Sequence, residues 1–241
     1  ALIQIPNELT SLRNYFSQVS VIDKGVGNVF EALERTGLTN DTIVIFTADH
    51  GFSLGHHGFW GHGQATWPSN AYRVAYHIPL LFWGPEHISA PQKTADHVSS
   101  MDLYATLLGF LGLSGEFDEA QIPSRDFSHL LRGEEGHWDN EIFIEQEETR
   151  AFRTAGWSYV KRFRGSQNYP LPDELYDTRK DPDERTNLSG SADYQEIETS
   201  FSNKLDAFFA KYADPKFNTW TGGKVKSNTS RPWLWKDAWG N

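Results

Sequence analysis

The sequence has no cysteine and a single methionine. Without cysteine there is no disulfide framework, no thiolate nucleophile and no thiolate metal ligand. No apolar run approaches the roughly 20 residues that a helix needs to span a bilayer, which excludes a membrane span. Ala1 to Pro6 carries no positive charge and has no signal-peptide shape. Basic residues are in deficit: 22 Lys and Arg stand against 32 Asp and Glu, for a formal charge of −10. That balance argues against nucleic acid as a partner, since such proteins carry a basic footprint. A polyanionic substrate would be repelled unless basic groups are gathered locally. What is present is enough to build a core: 241 residues, 38% hydrophobic and 14% aromatic, the size of one large or two small domains.

The chain is organised around Thr42 to His62, TIVIFTADHGFSLGHHGFWGH. Its first six residues are apolar and β-branched, bounded by Asn40-Asp41 and by Asp49-Gly51, and read as a buried strand. A glycine-rich loop follows, carrying Asp49, His50, His56, His57 and His62. In open α/β sheets, functional groups gather just past the carboxyl ends of strands. One acid and four imidazoles in that position form a candidate metal-binding and proton-transfer site. A solvated loop is the usual reading of a single histidine; the clustering favours a site.

Around this centre, Glu8 to Arg35 reads as a helix capped by Asn7. Leu12, Phe16, Val19, Val26 and Phe30 mark its apolar face. Gly25 and Gly27 inside it suggest close packing or a kink. Ile78 to Trp83 is a second short strand, and Asp102 opens a helix that Gly112 ends. Glu141 to Gln146, Arg150 to Thr154 and Trp157 to Phe163 read as three further strands. Asp193 to Tyr212 is an amphipathic helix with Ile197, Phe201, Leu205, Phe208 and Phe209 inward. The tail holds Trp220, Trp233, Trp235 and Trp239, and tryptophans there are read as packing onto the domain.

The order of several short motifs resembles the sulfatases, a family of the alkaline-phosphatase-like superfamily. Asp49-His50-Gly51 with Leu54-Gly55 and His57 to His62 is similar to the family's strand, D-[HN]-G and L-G-x-H-G-x-W-x-K run, with His62 where lysine is usual. Val98 to Leu108 resembles V-S-x-x-D-[LI]-x-x-T-L-L, and Leu130-Leu131-Arg132-Gly133 resembles L-L-x-G. Glu174 to Leu188 resembles E-L-Y-D-L-x-x-D-P-x-E-x-x-N-L. The resemblance spans nearly the whole chain, but only the C-terminal part of a sulfatase. It implies an α/β fold: residues 1–135 as the C-terminal half of an alkaline-phosphatase-like α/β/α sandwich, and residues 136–241 as a small α+β domain with an antiparallel sheet and a packed helix.

The resemblance also implies chemistry. Asp49 takes the place of a metal ligand. His50 either ligates or hydrogen-bonds the nucleophile or the sulfate. His62 holds the sulfate and protonates the leaving oxygen, and His57 and Arg73 are candidate substrate contacts. Arg73 stands where the family has an acid, so it either adapts the pocket to an anion or forms a surface ion pair. The implied metal is Ca2+, with Mg2+, Mn2+ and Zn2+ as alternatives. The implied nucleophile is a formylglycine from a [CS]-x-P-x-R segment, which this sequence lacks; Ser89 to Lys93 is the nearest match and reads as an ordinary loop. The expected partners are the N-terminal half of the same enzyme, cleaved or separately encoded, and a sulfated small molecule or carbohydrate, with an oligomer also open. The expected location is periplasmic or secreted. A phosphonate or phosphate ester hydrolase of the same superfamily is the alternative. A catalytically inert binding module is another. Gly51-Phe52-Ser53-Leu54-Gly55 satisfies G-x-S-x-G and raises a serine esterase, whose elbow should open a helix.

Overall fold

The computed structural model describes residues 9–218 and 220, apart from 64–65, 67–68, 89–92, 115–120, 147–148 and 164–170. Asn7, the Ser89 to Gln92 loop and Trp233, Trp235 and Trp239 lie outside the described residues. Helix α1 runs from Leu9 to Thr36 and stops at Gly37, whose φ of 70° suits a residue without Cβ. A Cβ at Gly25 or Gly27 would meet nothing within 4 Å. The expected close packing at these glycines is therefore absent among the described residues, because none of the residues of α1 is buried. Phe16, Val19, Val21, Ile22 and Val29 stand exposed along it.

Strand β1 (Val44–Thr47) pairs antiparallel with β2 (Leu80–Trp83), Val44 opposite Trp83 and Thr47 opposite Leu80. The expected burial of β1 is only partial: Phe46, and Leu81 beside it on β2, are exposed. Apolar composition shows that a strand face is made to be covered, not what covers it. Between the strands lies α2 (Arg73–Tyr76). The Ser99 hydroxyl accepts the Met101 N–H, and Asp102 accepts the Ser99 N–H at 2.8 Å, a reciprocal cap. This cap leads into α3 (Leu103–Phe110), and Gly112 at φ 71° closes it. Asp102 is 1% exposed and paired with Arg125 at 2.9 Å, the structural role its position suggests. A short helix, α4 (Ser128–Leu131), follows.

The second sheet is a four-stranded antiparallel meander, β3 (Ile142–Gln146), β4 (Thr149–Arg153), β5 (Trp157–Arg162) and β6 (Glu174–Asp177), in chain order. Helix α5 (Gln195–Tyr212) packs on it. Phe152, Tyr159, Leu175, Leu205 and Phe209 form the buried core, with Ile197, Phe201 and Phe208 packed against it. That is the inward face read from the three- and four-residue spacing. Trp220 packs as well, its ring 5.6 Å from that of Phe163 and 4.6 Å below the Arg150 guanidinium.

Candidate active site

The site begins where β1 ends. The Asp49 carboxylate is 86% exposed, and one oxygen accepts the His50 N–H at 2.9 Å. His50 Nδ1 lies 2.8 Å from the Gly51 carbonyl. A carbonyl only accepts, so Nδ1 carries a proton, and in the neutral imidazole Nε2 keeps its lone pair. That Nε2 is 3.6 Å from Asp49 Oδ2. Two lone-pair atoms at this separation, on an open strand end, fit two ligands of one cation. Among the described residues no group of three or more His, Asp or Glu converges on one metal position. The fit is thus to part of a coordination shell.

The loop then doubles back. Gly51 donates its N–H to the Ala75 carbonyl at 2.9 Å, and a Cβ there would lie 2.2 Å from the Val74 carbonyl oxygen. Only glycine permits this approach to α2. Ser53 donates to the Gly61 carbonyl at 2.7 Å and Gly55 to the Phe59 carbonyl at 2.8 Å. Leu54, Gly55, His57, Gly58 and Gly61 all have positive φ. The result is that His62 returns onto His50, with ring centroids 3.7 Å apart and planes 15° from parallel. Burial, then repulsion from His50, hold the His62 imidazole below its usual pKa, with Asp49 opposing.

The other histidines separate from this pair. His57 stacks on Tyr72, centroids 3.7 Å apart and planes 3° from parallel. His56 donates Nδ1–H to the Ser53 carbonyl at 2.7 Å, a tie within the loop. Ser53 is 1% exposed and its hydroxyl has no hydrogen-bond partner among the described residues. A short 3₁₀ turn at His56–Gly58, not a long helix, follows it. A buried hydroxyl that no base engages among the described residues, followed by no long helix, does not have the form of a nucleophile elbow. Arg73 donates Nε–H to His77 Nδ1 at 3.2 Å and pairs with no carboxylate among the described residues, so the surface ion pair is not formed.

Sequence reasoning missed the residues that support this loop from the second sheet. Glu184 is 2% exposed with φ 55°, pairs with Arg153, and accepts the Arg73 N–H at 2.6 Å. It sits in the D-P-x-E-x-x-N-L run, whose acid was the one available signal.

The chain matches the Sulfatase family over residues 4–113 and the family described as N-sulphoglucosamine sulphohydrolase, C-terminal, over residues 63–211. It is 29% identical to arylsulfatase K of Canis lupus familiaris over 93% of this chain and 44% of that protein. It is 26% identical to an N-acetylglucosamine-6-O-sulfatase of Bacteroides thetaiotaomicron, over 84% of this chain and 36% of that protein. Among solved structures, the phosphonate monoester hydrolase of Agrobacterium radiobacter superposes with a TM-score of 0.70 at 25% identity, over 84% of this chain and 42% of that one. The chain thus spans less than half the length of these relatives. With the strand-end acid, the doubled-back histidine loop and the meander with its packed helix all in family order, the chain belongs to the sulfatase family and corresponds to its C-terminal part.

Proposed function

We propose that this chain supplies one side of a sulfate-monoester hydrolase site, with Asp49 and His50 facing the metal and His62 facing the leaving group. The observation that carries the reading is the stacking of His62 on His50 directly beside Asp49 at the end of β1. The sulfatase family uses a divalent metal. Ca2+ is the ion proposed here, held by Asp49 through oxygen, with His50 either ligating it through Nε2 or hydrogen-bonding the nucleophile or the sulfate. Bound there, the cation would offset negative charge on the nucleophile and the sulfate oxygens. His62, in its imidazolium form, orients the sulfate and gives a proton to the leaving oxygen as the S–O bond breaks, although burial and His50 disfavour that form. His57 and Arg73 contact the rest of the substrate. Arg73, with no carboxylate partner among the described residues, places a cation where a substrate anion can use it, which a chain of charge −10 otherwise lacks.

The nucleophile in this reading is a formylglycine on the N-terminal half of the same enzyme. That half covers the exposed apolar residues of α1 and of Phe46 and Leu81, as an uncovered patch of this kind requires. Residues 1–135 then belong to the catalytic α/β domain and residues 136–241 form the smaller C-terminal domain. The substrate class is a sulfated carbohydrate, in keeping with the N-acetylglucosamine-6-O-sulfatase relative. The enzyme is secreted or periplasmic. The likeness to a phosphonate monoester hydrolase supports a second reading, hydrolysis of phosphonate esters. Turnover of an aryl sulfate and an aryl phosphonate by the complete enzyme, before and after chelation and Ca2+ return, separates the two. Ca2+-restored sulfate turnover that is abolished in Asp49→Ala is the expected result; preference for the phosphonate overturns the sulfatase reading.

A further inference from the structure

The backbone on both sides of Tyr72 is held, by β4 on one flank and by the loop after β6 on the other. On one flank, the Ala71 carbonyl accepts from Arg153 Nη2 at 3.0 Å. On the other, the Arg73 N–H donates to Glu184 Oε2 at 2.6 Å. Arg153 and Glu184 are themselves an ion pair, 13% and 2% exposed. Glu184 reaches this place in a left-handed conformation, φ 55°, which an L-residue with a long side chain adopts only when its surroundings impose it. The far end of Tyr72 is held too. Its ring lies 6.3 Å from that of Tyr176, with the planes 57° apart, and burial, then the charge of Glu174, push both phenols up. Tyr176 donates to Glu174 at 2.9 Å. Glu174 pairs with Arg162, and Arg162 donates to the Ser69 carbonyl and the Thr149 hydroxyl. Side chains of three strands of the second sheet therefore brace the segment that carries this ring, Tyr176 lies against the ring itself, and His57 lies flat on it.

We propose that Tyr72 is a positioning residue, a plate clamped by Glu184–Arg153 and Tyr176–Glu174 that fixes the ring plane of His57. The loop around His57 needs such a support. His57 itself has φ 54°, and its neighbours Gly55 and Gly58 are also left-handed, so the loop backbone alone does not set where the imidazole points. The plate makes the second sheet a contributor to substrate geometry without touching substrate. Its functional consequence rests on the reading of His57 as a substrate contact; its structural content does not.

The test is the nuclear magnetic resonance position of the His57 ring protons in histidine-labelled chain. Stacking on a tyrosine face shifts them upfield, and Tyr72→Leu gives their position without the plate. Tyr72→Phe keeps the plate and should leave the signal near wild type. In Glu184→Gly with Arg153→Met, both halves of the buried pair go together, which costs far less than losing one, and glycine suits φ 55°. There the signal should move most of the way to the Tyr72→Leu position, and the unfolding midpoint should fall, since the Arg73 N–H and the Ala71 carbonyl lose their partners as well. Tyr176→Phe removes only a hydroxyl and should move the signal part of the way, which keeps the test alive if the double variant does not fold. A His57 signal unmoved in Tyr72→Leu, or unmoved in both clamp variants, overturns the proposal. In the complete enzyme, Tyr72→Leu should raise KM several-fold with kcat little changed, and Tyr72→Phe should restore it. A moved signal with unchanged KM would leave the plate standing and remove His57 from the substrate.

Discussion

The Glu184 carboxylate accepts the backbone N–H of Arg73, 111 residues earlier in the chain, at 2.6 Å. It ties the antiparallel meander to α2, and α2 in turn receives the Gly51 N–H of the strand-end loop. The histidine loop is therefore braced from the second sheet, and its tolerance to change follows from that brace.

Gly51→Ala should destabilise the chain. The added methyl meets the Val74 carbonyl oxygen at 2.2 Å, and backbone cannot yield as a flexible side chain can. Overpacking of this kind costs about 1–3 kcal/mol. Urea unfolding should show the midpoint lowered with an unchanged slope.

Asp102→Ala should cost more than its distance from the histidine loop suggests. The carboxylate, 1% exposed, accepts the backbone N–H groups of Ser99 and Arg125 at 2.8 and 2.9 Å as well as the Arg125 guanidinium. Each buried donor left without an acceptor costs about 1–3 kcal/mol. Asp102→Asn keeps one acceptor and should lose less. Thermal unfolding of the two variants orders them.

Stability should fall as pH drops below about 6.5. Burial, then Arg153 and Arg73, hold the His97 imidazole below its usual pKa, with Asp96 pulling the other way. His77 is lowered by burial, then by Arg73, His97 and Arg153. For a histidine whose folded pKa is depressed, the unfolded chain binds the proton first. The stabilisation is full above the unfolded pKa and is lost as pH falls toward the folded one. His97→Gln should flatten the dependence of the unfolding midpoint on pH between 7 and 5, to a degree read directly from paired titrations.

A fluorophosphonate should leave Ser53 unlabelled, since its hydroxyl is buried and has no hydrogen-bond partner among the described residues. Peptide mass analysis after treatment checks this, and an adduct on Ser53 would restore the esterase reading.

Much of this was legible in the sequence, for identifiable reasons. The inward face of α5 follows from Ile197, Phe201, Leu205 and Phe208 at helical spacing, because periodicity reports which side is buried. Asp102 was legible as a cap because capping is local, involving Ser99 three residues away. The strand-end cluster was legible because a strand, an acid and glycines occur consecutively. The stacking of His62 on His50 was not, since it depends on a run of left-handed residues that includes Leu54 and His57. Nor was the bracing by Glu184 and Arg153. For a buried acid in a left-handed conformation, bonded to a backbone 111 residues away, the acid of the D-P-x-E-x-x-N-L run is a signal that does not say what the acid holds. The exposure of Phe46 and Phe16 was misread as burial for the converse reason: composition marks an apolar face without naming its cover.

The most direct test of the account is the leaving-group dependence of His62→Ala in the complete enzyme. Aryl sulfates are graded by the pKa of the released phenol, and kcat/KM is measured for wild type and variant. If His62 protonates the leaving oxygen, the loss should be about 10²–10⁴-fold for the poorest leaving group and shrink steadily as the phenol becomes more acidic. An equal loss across the series would contradict the assignment and leave His62 as a sulfate contact alone.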